Sequence, residues 1–118
     1  MQFKHTNLEV ESFPKLIRDK IPQIIRDQGR TPKVKVLDSS SKDLIRYTLK
    51  KLIEEATEAA NEVNDRSEMI KELADLEEII DKVKELMRIT DQEVSSVKKA
   101  KRERNGGFDE NIILLEES

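Results

Sequence analysis

Between Lys42 and Asn64 the apolar positions Ile45, Leu49, Leu52, Ala56, Ala59 and Val63 recur at spacings of four and three. That is the seam of an amphipathic helix. The segment Ser67 to Arg88 repeats the pattern with Met69, Leu73, Leu76, Ile80, Val83 and Met87. Between them "NDRSE" reads as a tight turn, with Asp65 and Glu68 spaced as a capping box. Two long helices joined by a short turn predict an antiparallel hairpin. "TDQE" (Thr90, Glu93) opens a third helix through Val94, Val97 and Ala100, which "NGG" at 105–107 ends. Upstream, "KLIRDKIPQIIRDQG" predicts a short helix around Pro22 with Gly29 as its stop, and the proline belongs in the first turn. "KVKVL" (33–37) alternates and is β-branched, and the tail around 112–116 is apolar, so both are short strand candidates. The "SSSKD" stretch before the first long helix offers N-caps.

The fold expected is all-α: a helix hairpin plus further helices, completing a four-helix-type bundle on oligomerisation, with minor strands at 33–37 and 112–116. The chain reads as one domain, 1–118, in which residues 1–14 lack a period and form an extension expected to be poorly structured. Its 118 residues hold few aromatics (3%), so the core must come from Leu, Ile, Val, Ala and Met. Such a core buries little area per residue, which favours further burial between chains. There is no Cys, which excludes disulfides and thiolate metal sites. No apolar run is long enough to span a bilayer, and a cytoplasmic protein without a membrane partner is expected.

Charge is distributed in blocks that the net −3 conceals. Lys15 to Lys35 sums to +5, Glu54 to Glu93 to −9, and Lys98 to Arg104 to +4. An acidic centre between basic flanks does not suit a nucleic-acid groove, which needs a continuous basic face. It suits a ligand that brings both metal ions and phosphates.

Within the acidic centre two pairs stand out. Glu55 and Glu58 are i,i+3 on the first long helix, and Glu72 and Asp75 are i,i+3 on the second. On a helical projection Glu55 lies on the flank of its seam, while Glu54 points roughly opposite it. Glu72 falls about 60° from the centre of its apolar stripe and has no basic residue at i±4 to neutralise it. A carboxylate there is partly desolvated, which costs free energy without a cation or donor. The hairpin turn allows one pair to face the other. Four carboxylates on facing helices make a hard-oxygen site suited to Mg²⁺ or Mn²⁺ rather than zinc. E-x-x-E by itself is common on solvated helix faces; the doubling on adjacent helices is what raises the metal reading.

The motif "EEATE" (54–58), thirteen residues, then "ELAD" (72–75) resembles the E-x-x-E…E-x-x-D signature of the all-α nucleoside triphosphate pyrophosphohydrolases, the MazG-like superfamily. "KLIRDKIPQII" (15–25) and "KKAKRERNGGF" (98–108) are similar to the two ends of its phosphoribosyl-ATP pyrophosphohydrolase-like branch. The likeness covers nearly all of residues 15–116. It implies that Glu55, Glu58, Glu72 and Asp75 bind Mg²⁺ and form the catalytic centre. The implied reaction is hydrolysis of a nucleotide at the α–β phosphoanhydride, releasing pyrophosphate and a nucleoside monophosphate, as in nucleotide pool cleaning. It further implies a homodimer or homotetramer, with basic residues near the site holding phosphates. Lys98, Lys101 and Arg102, which share one side of the third helix, are one candidate group; Lys15, Arg18 and Lys20 are the other. Each could equally be a surface or interface charge, and Arg18 with Asp19 an internal ion pair. Gly106-Gly107 reads first as a helix stop, Phe108 as core and His5 as surface. Nothing in the chain identifies the base or sugar of a substrate. The alternative is a catalytically silent helical module that binds nucleotide or a partner protein.

Overall fold

A computed structural model describes residues 13–118. Four helices follow in order: α1 (Ile21–Asp27), α2 (Lys42–Asn61), α3 (Arg66–Met87) and α4 (Asp91–Asn105). Among the described residues there is no strand, so the fold is all-α. His5 and most of the extension lie outside the described residues.

The helix boundaries follow local chemistry. Pro22 occupies the first turn of α1, where its missing N–H costs nothing, and Gly29 at φ +78° ends the helix. Ser41 caps α2 by accepting from the Asp43 N–H (3.2 Å). Asp65 caps α3 by accepting from Glu68 N–H at 3.1 Å. Thr90 and Glu93 form a full capping box on α4: the Glu93 N–H donates to Thr90 Oγ1 (3.1 Å) and the Thr90 N–H to Glu93 Oε1 (2.9 Å). Gly106, at φ +84°, terminates α4. The end of α3 is less expected. Arg88 sits at φ +56°, and the Ile89 N–H reaches back to the Lys84 carbonyl at 2.8 Å, a Schellman-type closure with arginine in the glycine position.

Neither strand candidate forms. A strand needs a hydrogen-bonding neighbour, and neither 33–37 nor 112–116 meets one. Val34 and Val36 are exposed, as are Ile112 to Leu115. Phe108, expected in the core, is 97% exposed.

The substantial helix packing is α2 against α3, joined through residues 62–65. The face that packs is turned from the seam expected. Leu44, Thr48, Glu55 and Ala59 are the buried line on α2, and Ile79 is buried on α3. Thr48 is wholly buried, its hydroxyl donating to the Leu44 carbonyl at 2.8 Å. Of the expected α2 seam, Leu49, Ala56 and Val63 are exposed; on α3, so are Leu73, Ile80 and Met87. At about 100° per residue, the buried midline lies roughly 70–80° from the apolar midline on each helix.

The reason is that each helix offers two faces that could pack, one mixed and one apolar. The mixed face joins the hairpin, with Leu44, Thr48, Glu55 and Ala59 on α2 and Ile79 on α3; the other carries Leu49 and Ile53 on α2, Val63 just beyond its end, and Ile70, Leu73, Ile80 and Met87 on α3, and is uncovered. Because the helices run antiparallel, the two uncovered stripes, each about 110–120° round from the contact, project from the same side of the hairpin. Glu54, Glu58, Asp75 and Glu78 project from the opposite side. The hairpin therefore has an acidic face and an apolar face. The Cα radius of gyration is 18.0 Å, against about 13–14 Å for a compact domain of this length. No helix of the described residues is long and apolar enough to cross a membrane.

Candidate metal centre

Glu55 and Glu72 lie on the midline of the α2–α3 contact, each one or two helical turns from buried packing residues. Glu55 is seven residues after Thr48 and four before Ala59; Glu72 is seven before Ile79. That spacing forces both carboxyl groups toward the opposite helix. One oxygen of each of Glu55, Glu72 and Asp75 can be chosen so that all three lie within 4.8 Å of one another. Glu54, Glu55 and Glu58 form a second such group, with Glu55 common to both. The structure thus gathers all four carboxylates singled out by spacing, and adds Glu54.

Glu54 corrects the projection. On α2 alone it points away from the helix contact, yet it is only 5% exposed. The segment before α1 covers it: Lys15 Nζ lies 3.3 Å from Glu54 Oε1, and Lys51 Nζ lies 3.1 Å from Oε2. Lys51 also reaches Glu55 Oε1 at 3.4 Å. Burial works against the charge on Lys51, but these ion pairs outweigh it and raise its pKa. Lys51, like Glu54 and Arg30, is a residue here that sequence reasoning missed; its i,i+3 and i,i+4 spacing to Glu54 and Glu55 was the available signal.

Among the described residues, two buried side-chain oxygens stand without a partner. Glu55 Oε2 and Glu72 Oε2 are both buried and accept no hydrogen bond. Burial and the neighbouring carboxylates oppose ionisation here. Glu72 is pushed up to about 8, by burial first and then by its contact with Glu55 and the charges of Glu58 and Glu55. Glu58 is raised too, by burial and then by Glu55 and Glu54. An anionic cluster with buried, unsatisfied oxygens is costly unless protons or cations enter it. The donor set is all carboxylate oxygen, which fits a hard divalent ion such as Mg²⁺ or Mn²⁺.

The cations divide into two groups. Arg18 Nη2 lies 2.5 Å from Asp75 Oδ1, with Nη1 at 3.8 Å from Glu78. Arg18 thus pairs with α3 rather than with its neighbour Asp19. Lys15, Arg18, Arg30 and Lys51 line a cleft of about 450 Å³ between α1 and α2, whose apolar wall includes Ile17, Ile21 and Ile25 and which also includes Glu55. Lys20 is exposed at the N-cap of α1. Lys98, Lys101 and Arg102 are exposed on α4, which does not pack substantially on the hairpin. Arg102 pairs with Asp109 at 2.8 Å and lies over Gly107, where a Cβ would meet its guanidinium at 2.5 Å. Lys98 and Lys101 border a larger groove, about 560 Å³, with Val94 and Val97. That groove runs along one exposed helix and has a single acid, Glu93, already committed to the capping box. Its size does not make it the centre of the chemistry.

No protein-family model matches the chain, and no curated protein or solved structure matches it. The functional reading rests on these residues and their arrangement.

Proposed function

We propose that the chain is a Mg²⁺-dependent nucleoside triphosphate pyrophosphohydrolase of the MazG-like kind, acting in the cytoplasm on a nucleotide of the cellular pool. The observation that carries this reading is the pair of buried, unpartnered oxygens on Glu55 and Glu72, facing one another from two helices with Asp75 alongside. Glu55, Glu58, Glu72 and Asp75 would hold Mg²⁺, or Mn²⁺ in its place. Bound there, the metal supplies charge neutralisation at phosphate oxygens and a more acidic water. The protein's own contribution is to hold the carboxylates close before any ligand arrives, and to keep Glu72 half-shielded from water. Lys15, Arg18 and Lys51 offer phosphates a cationic wall, and Arg30 adds a fourth charge at the cleft. The isoleucine wall offers a nucleobase apolar surface, with the Gln28 amide the uncharged polar group beside it in the cleft. Lys98, Lys101 and Arg102 enter only if another copy brings its α4 to the site, and Lys20 stays exposed at the start of α1.

A homodimer or homotetramer belongs to the same reading. Its support is the apolar stripe on the side of the hairpin opposite the acids, a surface that a second hairpin would cover to complete a four-helix bundle. The test of the activity is pyrophosphate release from a panel of nucleoside triphosphates with Mg²⁺ or Mn²⁺. Glu55→Ala and Glu72→Ala should abolish it. No release from any triphosphate, with metal binding unchanged in both variants, overturns the proposal. One observation favours a second reading, a catalytically silent binding module: Lys15, Lys51 and Arg18 already neutralise Glu54 and Asp75. Calorimetric binding of a non-hydrolysable triphosphate without turnover of its natural counterpart would favour that module.

A further inference from the structure

Asp75 has two claims on it. It belongs to the Glu55–Glu72–Asp75 group, and its Oδ1 is 2.5 Å from the Arg18 guanidinium. A carboxylate oxygen engaged that closely has a lone pair committed to the N–H donor, so a divalent ion would compete for Oδ1 or take Oδ2 with the guanidinium still beside it. A guanidinium left beside such an ion would also meet like-charge repulsion. Both cations cannot use Asp75 fully at once.

The segment that carries Arg18 is suited to exchange. Residues 13–20 lie outside any helix and cross the acidic face of the hairpin. Their polar attachments there are Arg18 to Asp75 and Glu78, Lys15 to Glu54, and the Pro14 carbonyl to Lys50 Nζ at 3.4 Å, while Leu16 and Ile17 between them are half-buried. Lys15 also stacks its ammonium on Phe13, 5.5 Å from the ring centre. Arg18 is 57% exposed at its side chain, so it can leave Asp75 for water or for the adjoining cleft without opening the hairpin. The cluster beneath offers more than acidity, because Glu55 is 6% exposed and its Oε2 has no partner. Lys15, Arg18 and Lys51 leave that oxygen unsatisfied.

We propose that residues 13–18 are a built-in counter-cation strap: Arg18 holds Asp75 while the carboxylate cluster is free of metal, and a divalent cation entering the cluster displaces it. Arg18 therefore lowers the apparent affinity for the ion, and its guanidinium, already at the edge of the cleft, is freed of its carboxylate partner when the ion binds. The inference rests on the metal reading of the cluster given above. By linkage, whatever the ion costs the strap, the strap costs the ion.

The test uses the full chain and Mn²⁺ alone, with free Mn²⁺ read by electron paramagnetic resonance. Arg18→Gln should bind Mn²⁺ about two- to five-fold more tightly than the parent, the range an exposed ion pair can contribute. Arg18→Lys, which keeps the charge but loses the fork, should fall between. Amide hydrogen exchange of residues 15–20 in the parent protein should quicken as Mn²⁺ saturates. Equal or weaker Mn²⁺ binding by Arg18→Gln, or unchanged exchange at saturation, overturns the strap while leaving the metal site standing, provided Glu72→Gln weakens Mn²⁺ binding. Should Glu55→Gln and Glu72→Gln both bind Mn²⁺ as the parent does, the metal reading itself fails and the strap with it. If Arg18→Gln does not fold, the exchange measurement on the parent decides alone.

Discussion

Neutralising Glu72 should stabilise the metal-free protein at high pH, against the usual expectation for a helix glutamate. The perturbation is Glu72→Gln, which keeps size and removes charge. Glu72 ionises near 4.5 in an unfolded chain and at about 8 in the fold. An acid whose pKa rises on folding favours the native state while protonated. The contribution is fully present below about pH 4.5 and is lost as pH rises through about 8. At about 1.4 kcal/mol per pKa unit the gap sets a ceiling near 5 kcal/mol. Glu72 is only half-buried and lies against two other carboxylates, so solvent screening and coupling reduce the expected swing to about 1–2 kcal/mol. The assay is urea unfolding with a metal chelator, from pH 5 to pH 9 at one chain concentration, for parent and variant. The difference between the two curves isolates Glu72 from acids common to both. The parent should lose about 1–2 kcal/mol relative to Glu72→Gln across that range, with the variant the more stable at pH 9. Parallel pH profiles, or a variant less stable at pH 9, would refute the desolvated cluster and weaken the case for a cation there.

Two further expectations follow from other parts of the fold. Arg88→Gly should stabilise the chain by about 0.5–1 kcal/mol, because φ +56° strains a residue with a Cβ while the closure onto Lys84 is kept; a lowered melting temperature would contradict this. Leu73→Glu, alone or with Ile53→Glu, should lower the mass seen in sedimentation velocity, since both residues lie on the uncovered apolar side and are more than half exposed within one chain. An unchanged mass would mean that this face is not where copies meet.

The helices were legible because their signals are local. Proline in the first turn of α1, the Thr90–Glu93 box and the glycines at 29 and 106 act over one turn of backbone, and each does in the fold what its spacing implies. Spacing likewise picked out Glu55, Glu58, Glu72 and Asp75, since i,i+3 pairs on two helices joined by a short turn can only be close or opposed. Three things depended on tertiary structure. Which of two faces closes the hairpin is decided by packing between α2 and α3, and the larger side chains lost: Thr48 and Glu55 are inside while Leu49 and Ile53 are out. The strand candidates failed because β-structure is a property of pairs, and periodicity within 33–37 or 112–116 says nothing about a partner. Glu54 is covered from about forty residues away, by Lys15. The sequence by itself determined where the chain turns and which acids share a helix side; only the three-dimensional arrangement decided which of those acids lose water and which cations reach them, because desolvation and ion pairing are set by neighbours distant along the chain.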